Sequence, residues 1–257
     1  MLISCRNIKK NFGDQVVLNG IDLDICRGDR IGLVGRNGAG KSTLADILTG
    51  NSDCDAGSIT SSRQRIKVGY LRQTEDAGTF RDIMINEIDM SGELQRLTSH
   101  LGVSGLSDLP QEQLAQLSGG EKTKLALAAV WAAQPDLAIL DEPTNHMDYQ
   151  GVEYLIQELR RFSGAVVIIS HDRFFLDKTV SQIAEIENGT ITVYPGNYSA
   201  FRVAKQQQRE SQWHLYQSQQ KEQRKIDQAI EQLKTWSDKA HRESRHKGGG
   251  MMGGKEY

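Results

Sequence analysis

Gly35-Arg36-Asn37-Gly38-Ala39-Gly40-Lys41-Ser42-Thr43 has the residue types and spacing of a phosphate-binding loop. Its glycines let backbone N–H groups converge on phosphate oxygens, Lys41 can reach the terminal phosphates, and the Ser42 hydroxyl can ligate Mg²⁺. A flexible glycine turn is the plain alternative. The run lies, however, between an apolar strand predicted at Arg30 to Val34 and a helix predicted at Lys41 to Leu48, the context a phosphate loop requires. ATP or GTP is the expected ligand.

Leu137-Ala138-Ile139-Leu140-Asp141-Glu142 sets two carboxylates at the end of an apolar run. In that position Asp141 can hold Mg²⁺ and Glu142 can polarise an attacking water, a pairing that signals hydrolysis as well as binding. A solvated acidic turn is the alternative for an isolated Asp-Glu pair. Leu117-Ser118-Gly119-Gly120-Glu121 precedes a helix predicted at Thr123 to Ala132 and has the character of a second helix N-terminus built to meet an anion.

These groups need a scaffold. Short alternating segments from Leu2 to about Asp24, separated by Asn-Phe-Gly-Asp and Asn-Gly, predict β-hairpins. Leu137 to Leu140 and Ala165 to Ile169 are the continuous apolar runs of strands buried on both faces of a parallel sheet, whose carboxyl ends line a ligand crevice. Gln73 to Leu117 turns polar and helical, with Phe80 to Glu87 and Ser91 to Leu101 as helix segments of a small inserted subdomain. Ser199 to Lys247 contains no Gly or Pro and is dense in Gln, Lys, Arg and Glu, which predicts one long helix with a reach of roughly 70 Å. Ile226, Ile230 and Leu233, with Ala229, Trp236 and Ala240 nearby, give it a narrow apolar stripe suited to a single partner helix. Gly248 to Gly254 reads as a loop at its end.

Together, the phosphate loop, the Ser-Gly-Gly helix start and the Asp-Glu strand make residues 1 to about 198 resemble an ABC ATPase. The resemblance implies an α/β fold: a P-loop ABC nucleotide-binding domain with a RecA-like parallel core, an antiparallel β subdomain and a small helical subdomain, followed by a long linker helix. It implies that Phe12 stacks on adenine, that Gln73 in Gly69-Tyr70-Leu71-Arg72-Gln73 senses Mg²⁺, and that His171 is the switch histidine. It also implies that two cassettes meet head to tail, so that Ser118, Gly119, Gly120 and Glu121 of one cap the γ-phosphate held by the other. Asp141-Glu142-Pro143-Thr144-Asn145-His146-Met147-Asp148, Ser170-His171-Asp172-Arg173-Phe174-Phe175-Leu176-Asp177 and Gly196-Asn197-Tyr198-Ser199 are similar to ABC-F proteins. Those proteins join two cassettes by a helical linker and act on the ribosome as translation or antibiotic-resistance factors. Trp236-Ser237-Asp238-Lys239-Ala240-His241 is similar to the ribosome-protecting branch. The expected organisation is a cassette at 1–198 and a charged linker at 199–257, the N-terminal portion of a tandem protein. The expected partners are a second cassette, and the ribosome and tRNA through residues 199–257.

Composition sets the outer bounds. The chain has 257 residues, 38% hydrophobic, with a formal charge of -2, which excludes a uniformly basic nucleic-acid binder but leaves room for a local basic element such as the long helix. Cys5, Cys26 and Cys54 lack metal-ligand spacing and suit a reducing compartment. The longest apolar run, Leu125 to Ala133, is too short to cross a bilayer, so a cytoplasmic protein with no membrane partner is expected. The rival reading, the ATPase subunit of a membrane transporter, shares the chemistry and is disfavoured by the 146–148 and 173–177 segments and the charged helix. A chromosome-maintenance ATPase would carry its coiled coil inside the cassette. A binding module without catalysis would lack Glu142.

Overall fold

A computed structural model describes residues 1–62, 66–72, 92–103 and 116–248. The β-rich start folds as a single hairpin, β1 (Ile3–Phe12) and β2 (Gln15–Ile25), closed by Gly13 and Asp14, and β4 (Ala56–Ser61) pairs antiparallel with the other edge of β1. Asn19-Gly20, expected to be a turn, instead lies inside β2. Ile8 pairs with Ile21 whereas Lys9 pairs with Asn19, so Gly20, at φ 87, is the extra residue of a β-bulge.

The second sheet contains β3 (Arg30–Gly35), β5 (Val68–Leu71), β6 (Leu137–Asp141), β7 (Ala165–Ile169), β8 (Gln182–Glu187) and β9 (Thr190–Pro195), in the order β5-β6-β7-β3-β8-β9. All its pairs are parallel except β8 with β9. The sequence reading marks no strand at β4, β5, β8 or β9, short segments whose local patterning is weak and whose stability comes from pairing.

Every residue of β6 and β7 is buried, and alternate residues serve different cores. Ala138, Leu140, Val166 and Ile168 pack with Leu127, Leu155 and Phe175, from α3 (Gly119–Ala132), α4 (Tyr149–Arg161) and α5 (Arg173–Thr179). Leu137, Ile139, Val167 and Ile169 pack with Leu44 and Ile47 of α1 (Lys41–Thr49) and with the β1–β2 hairpin. The period-2 geometry of a strand thus turns one apolar run into the midplane of a three-layer structure.

The helix expected at Ser91 to Leu101 is α2 (Gly92–His100), while the one at Phe80 to Glu87 lies outside the described residues. The long helix is α6 (Tyr198–Gly248), continuous over 51 residues and taking in Gly248; the rest of the expected glycine loop lies outside the described residues. The chain divides into two compact units, Met1–Arg202 and Val203–Tyr257. Along the second unit Ile226, Ile230, Leu233 and Trp236 are exposed. Among the described residues no helix is long and apolar enough to cross a membrane.

Candidate nucleotide-binding site

β3, between β7 and β8, delivers Gly35 to the sheet's carboxyl edge, and the chain turns through Arg36 to Ala39 before α1 begins. Gly40 caps α1 at φ 99, and a Cβ there would stand 2.7 Å from the Leu18 side chain and 2.9 Å from that of Val17. Only glycine combines that backbone with that closeness to β2. No side chain caps α1, so its first N–H groups are available to an anion. Lys41 Nζ donates to the carbonyls of Gly35 and Arg36, both at 3.0 Å, which holds an ammonium over the loop that contains Asn37, Gly38 and Ala39.

Ser42 Oγ donates to Asp141 Oδ2 at 2.9 Å, linking the second residue of α1 to the last residue of β6. Burial pushes the Asp141 carboxyl above the usual carboxylate range, opposed by the Ser42 hydrogen bond and the Lys41 charge. Glu142 follows with left-handed backbone, φ 52, and its N–H donates to Ile169 O at 2.7 Å. A non-glycine residue in that conformation costs on the order of 1 kcal/mol. The kink breaks strand alternation and takes Glu142 to its own partners: His171 Nε2 lies 3.4 Å from Oε1, and Ser170 Oγ and the His171 N–H each donate to Oε2 at 3.4 Å. Burial raises the Glu142 carboxyl, and the His171 N–H and ring oppose that rise.

The signature residues form the start of α3. Ser118 is its N-cap, the Glu121 N–H donates to Ser118 Oγ at 3.4 Å, and the Ser118 N–H donates to Glu121 Oε2 at 2.9 Å, a complete capping box. The Ser118 hydroxyl, which donates to Glu121 Oε2 at 2.7 Å, and then the Ser118 N–H hold the Glu121 carboxyl below the usual carboxylate range. A Cβ on Gly120 would meet His146 O at 2.7 Å and one on Gly119 the His146 ring at 3.5 Å, so the loop after Glu142 packs directly on the signature turn. His146 itself has φ 61. Among the described residues no hydrogen bond or ion pair joins Ser118 to Glu121 with the phosphate loop or Glu142 of the same chain.

Phe12 ends β1 and is 56% exposed, with Lys10 Nζ 5.7 Å from its ring centre, so its ring is free to stack. Thr43 is half-buried in the first turn of α1. Gln73 lies outside the described residues; Arg72 before it pairs with Asp46 of α1 at 2.9 Å.

Two features escaped the sequence reading. Arg30 donates to the carbonyls of Leu159 (3.0 Å), Gly164 (2.8 Å) and Phe162, clamping the end of α4 to the base of β3. Ser170 is a Glu142 partner. Both depend on residues distant in sequence, and no local signal marks them.

A family model described as ABC transporter matches residues 18–145, and a second with that description matches 184–247. The ribosome protection protein VmlR of Bacillus subtilis (strain 168) is 35% identical over 248 residues, covering 96% of this chain and 43% of its own length. The tylosin resistance ATP-binding protein TlrC of Streptomyces fradiae is 32% identical over 264 residues, 83% of this chain and 47% of its own. ABC transporter F family member 5 of Arabidopsis thaliana is 29% identical, with 86% and 39% covered. The chain therefore spans less than half the length of each of these relatives. The ATP-binding subunit of an ABC transporter superposes with a TM-score of 0.64 at 19% identity, over 76% of this chain and 90% of that one, a likeness of fold alone.

Proposed function

The chain belongs to the ABC family of ATP-binding cassettes, in its ABC-F branch, and from that premise we propose that it binds ATP with Mg²⁺ and hydrolyses it in a pair of cassettes, as part of a cytoplasmic protein that acts on the ribosome. The observation that carries the reading is the Glu142 carboxylate, buried, kinked out of its strand and held by Ser170 and His171 beside the Asp141–Ser42 pair.

In this reading Gly35, Asn37, Gly38, Ala39, Gly40 and Thr43 line the phosphates, Lys41 neutralises their charge and Phe12 stacks on adenine. Water attacks the terminal phosphorus, Glu142 takes its proton, the bond to the bridging oxygen breaks, and ADP and phosphate leave. His171 orients Glu142 and can donate to the transferred phosphoryl group. Ser42 and Asp141 suit Mg²⁺: both are hard oxygen donors, and Mg²⁺ takes one or two carboxylates and leaves its other positions to water and phosphate. Among the described residues no group of three or more His, Cys, Asp or Glu is placed to enclose a metal, as all-protein cages require. Mg²⁺ would supply charge neutralisation on the phosphates, with Gln73 as a further ligand.

Ser118, Gly119, Gly120 and Glu121 serve the opposite cassette's nucleotide, which fits the absence of any hydrogen bond from them to their own phosphate loop. Hydrolysis by this chain should then rise more than linearly with protein concentration. Specific activity unchanged over a hundredfold dilution would show that one chain suffices.

Ribosome and tRNA contact is assigned to residues 199–257. Support comes from the similarity to the ribosome protection and tylosin resistance proteins, which runs through most of the chain. The transporter-subunit reading is not favoured, because the transporter likeness is one of fold at 19% identity. Cosedimentation of the Glu142→Gln protein with ribosomes, with and without ATP, tests the assignment. Equal pelleting in both conditions and after removal of residues 199–257 would overturn it.

A further inference from the structure

Two motifs near the end of the cassette lie beyond the nucleotide site: the helix after His171, and the Gly196-Asn197-Tyr198-Ser199 segment at the start of α6. They meet at one residue. Asp177, in α5, accepts the Ser199 N–H at Oδ1 (2.7 Å) and the Ser199 hydroxyl at Oδ2 (2.5 Å). The two residues are 22 positions apart, and β8 and β9 lie between them.

Capping alone does not account for this bond. Asn197, next to α6 in the chain, already caps the helix: its Oδ1 accepts the Ala200 N–H at 3.1 Å and its carbonyl the Phe201 N–H at 3.0 Å. Asp177 is a second cap, brought from another element, and its charge adds a stronger hydrogen bond at the positive end of the helix dipole.

The other end of α5 is bonded to the chemistry. Ser170 Oγ donates to Glu142 and accepts the Asp172 N–H at 3.1 Å, and the Asp172 carboxylate accepts the Phe175 N–H at 3.0 Å as the N-cap of α5. Phe175 and Leu176 have no exposed surface, so α5 moves as one piece with its core contacts. From Asp172 to Asp177 the helix spans only about 8 Å at 1.5 Å per residue. An unbroken route of hydrogen bonds and one helical turn, anchored by the buried Phe175 and Leu176, therefore runs from Glu142 to Ser199. Phe201, buried against Tyr194 (ring centres 5.1 Å) and Tyr198 (5.8 Å), fixes the first turn of α6 within the same unit.

We propose that Asp177 is a positioning residue that couples the occupancy of the Glu142–His171 site to the first turn of α6, the helix that continues to Gly248. This rests on the ATP reading above. A shift of Ser170 and His171 as they meet a phosphoryl group is carried by α5 to Asp177, which pulls or releases the Ser199 N–H.

The test is amide hydrogen exchange of residues 199–202 in the 257-residue Glu142→Gln protein, with and without Mg-ATP, while binding of a fluorescent ATP analogue is followed in parallel. In the Glu142→Gln parent, ATP should alter exchange of these amides on the order of tenfold, the scale of one charge-assisted hydrogen bond made or lost. Adding Asp177→Ala should abolish that ATP-dependent difference and leave analogue affinity unchanged. Asp177→Asn, whose Oδ1 can still accept the Ser199 N–H, should keep most of it. A purely structural cap would lower protection equally with and without ATP, so survival of the difference in Asp177→Ala overturns the proposal. So does a parent that binds the analogue yet shows no ATP-dependent change at these amides. Failure of the parent to bind the analogue would instead bring down the ATP reading, and the coupling with it.

Discussion

The Glu142 carboxylate and the His171 imidazole approach to 3.4 Å from strands that are 28 residues apart in sequence and adjacent in the sheet. The contact needs Glu142 in its left-handed conformation, because an ideal strand would send it to the face opposite Asp141. The carboxylate is almost fully enclosed while the imidazole is 65% exposed, so Glu142 is fixed and its partner faces solvent.

Glu142→Gln is expected to keep ATP binding and lose hydrolysis by about 10²- to 10⁴-fold, the usual contribution of a positioned general base. Phosphate release and nucleotide binding measured on the same preparation check both halves. Near-normal turnover would remove Glu142 from the role.

Asp141 and Glu142 are both raised by burial, so the fold disfavours their ionised forms. Protonated in both folded and unfolded chains, they impose no penalty below the ordinary values of 3.8 and 4.5; the penalty grows as pH rises and is complete above the folded values. Asp141→Asn and Glu142→Gln should therefore raise the melting temperature at pH 7 without nucleotide or Mg²⁺, with the gain shrinking toward zero as pH falls to about 4. A gain that grows on acidification would contradict the assigned burial penalty.

Ser118→Ala should destabilise the cassette by about 0.5–2 kcal/mol, because the first turn of α3 loses its cap. Gly120→Ala should act differently: its Cβ would stand 2.7 Å from His146 O, forcing the signature turn away from the loop after Glu142. The expected result is a sharp loss of hydrolysis with analogue binding retained. Urea unfolding beside turnover separates the two effects.

Arg30→Ala should cost about 2–4 kcal/mol, since it leaves the carbonyls of Leu159, Phe162 and Gly164 without their donor. Arg30→Lys should recover little of this, because an ammonium cannot reproduce the planar fork that serves several carbonyls at once. Chemical denaturation of the two variants decides it, and full recovery by lysine would count against the clamp.

Much of the site was legible in the residues themselves. The phosphate loop is readable because its glycines and Lys41-Ser42 are consecutive and its flanking strand and helix are strongly patterned, and Asp141 and Glu142 are readable because they end an apolar run. Ser118 and Glu121 were legible as a helix start because a capping box is a local pattern. Asn19-Gly20 was misleading, since the same dipeptide serves a turn or a bulge and only pairing with β1 decides which.

The sequence by itself determined the phosphate loop with its flanking strand and helix, the buried strands β6 and β7, the long helix and the residue types that carry chemistry, because periodicity, caps and glycine spacing act over a few residues along the chain. The tertiary structure alone decided the partners: Ser42 with Asp141 across 99 positions, Arg30 with the end of α4, and Asp177 with Ser199. The reason is physical. Each of these bonds joins groups brought together by strand order and core burial, and a hydrogen bond, unlike a hydrophobic stripe, leaves no periodic mark on the sequence that forms it.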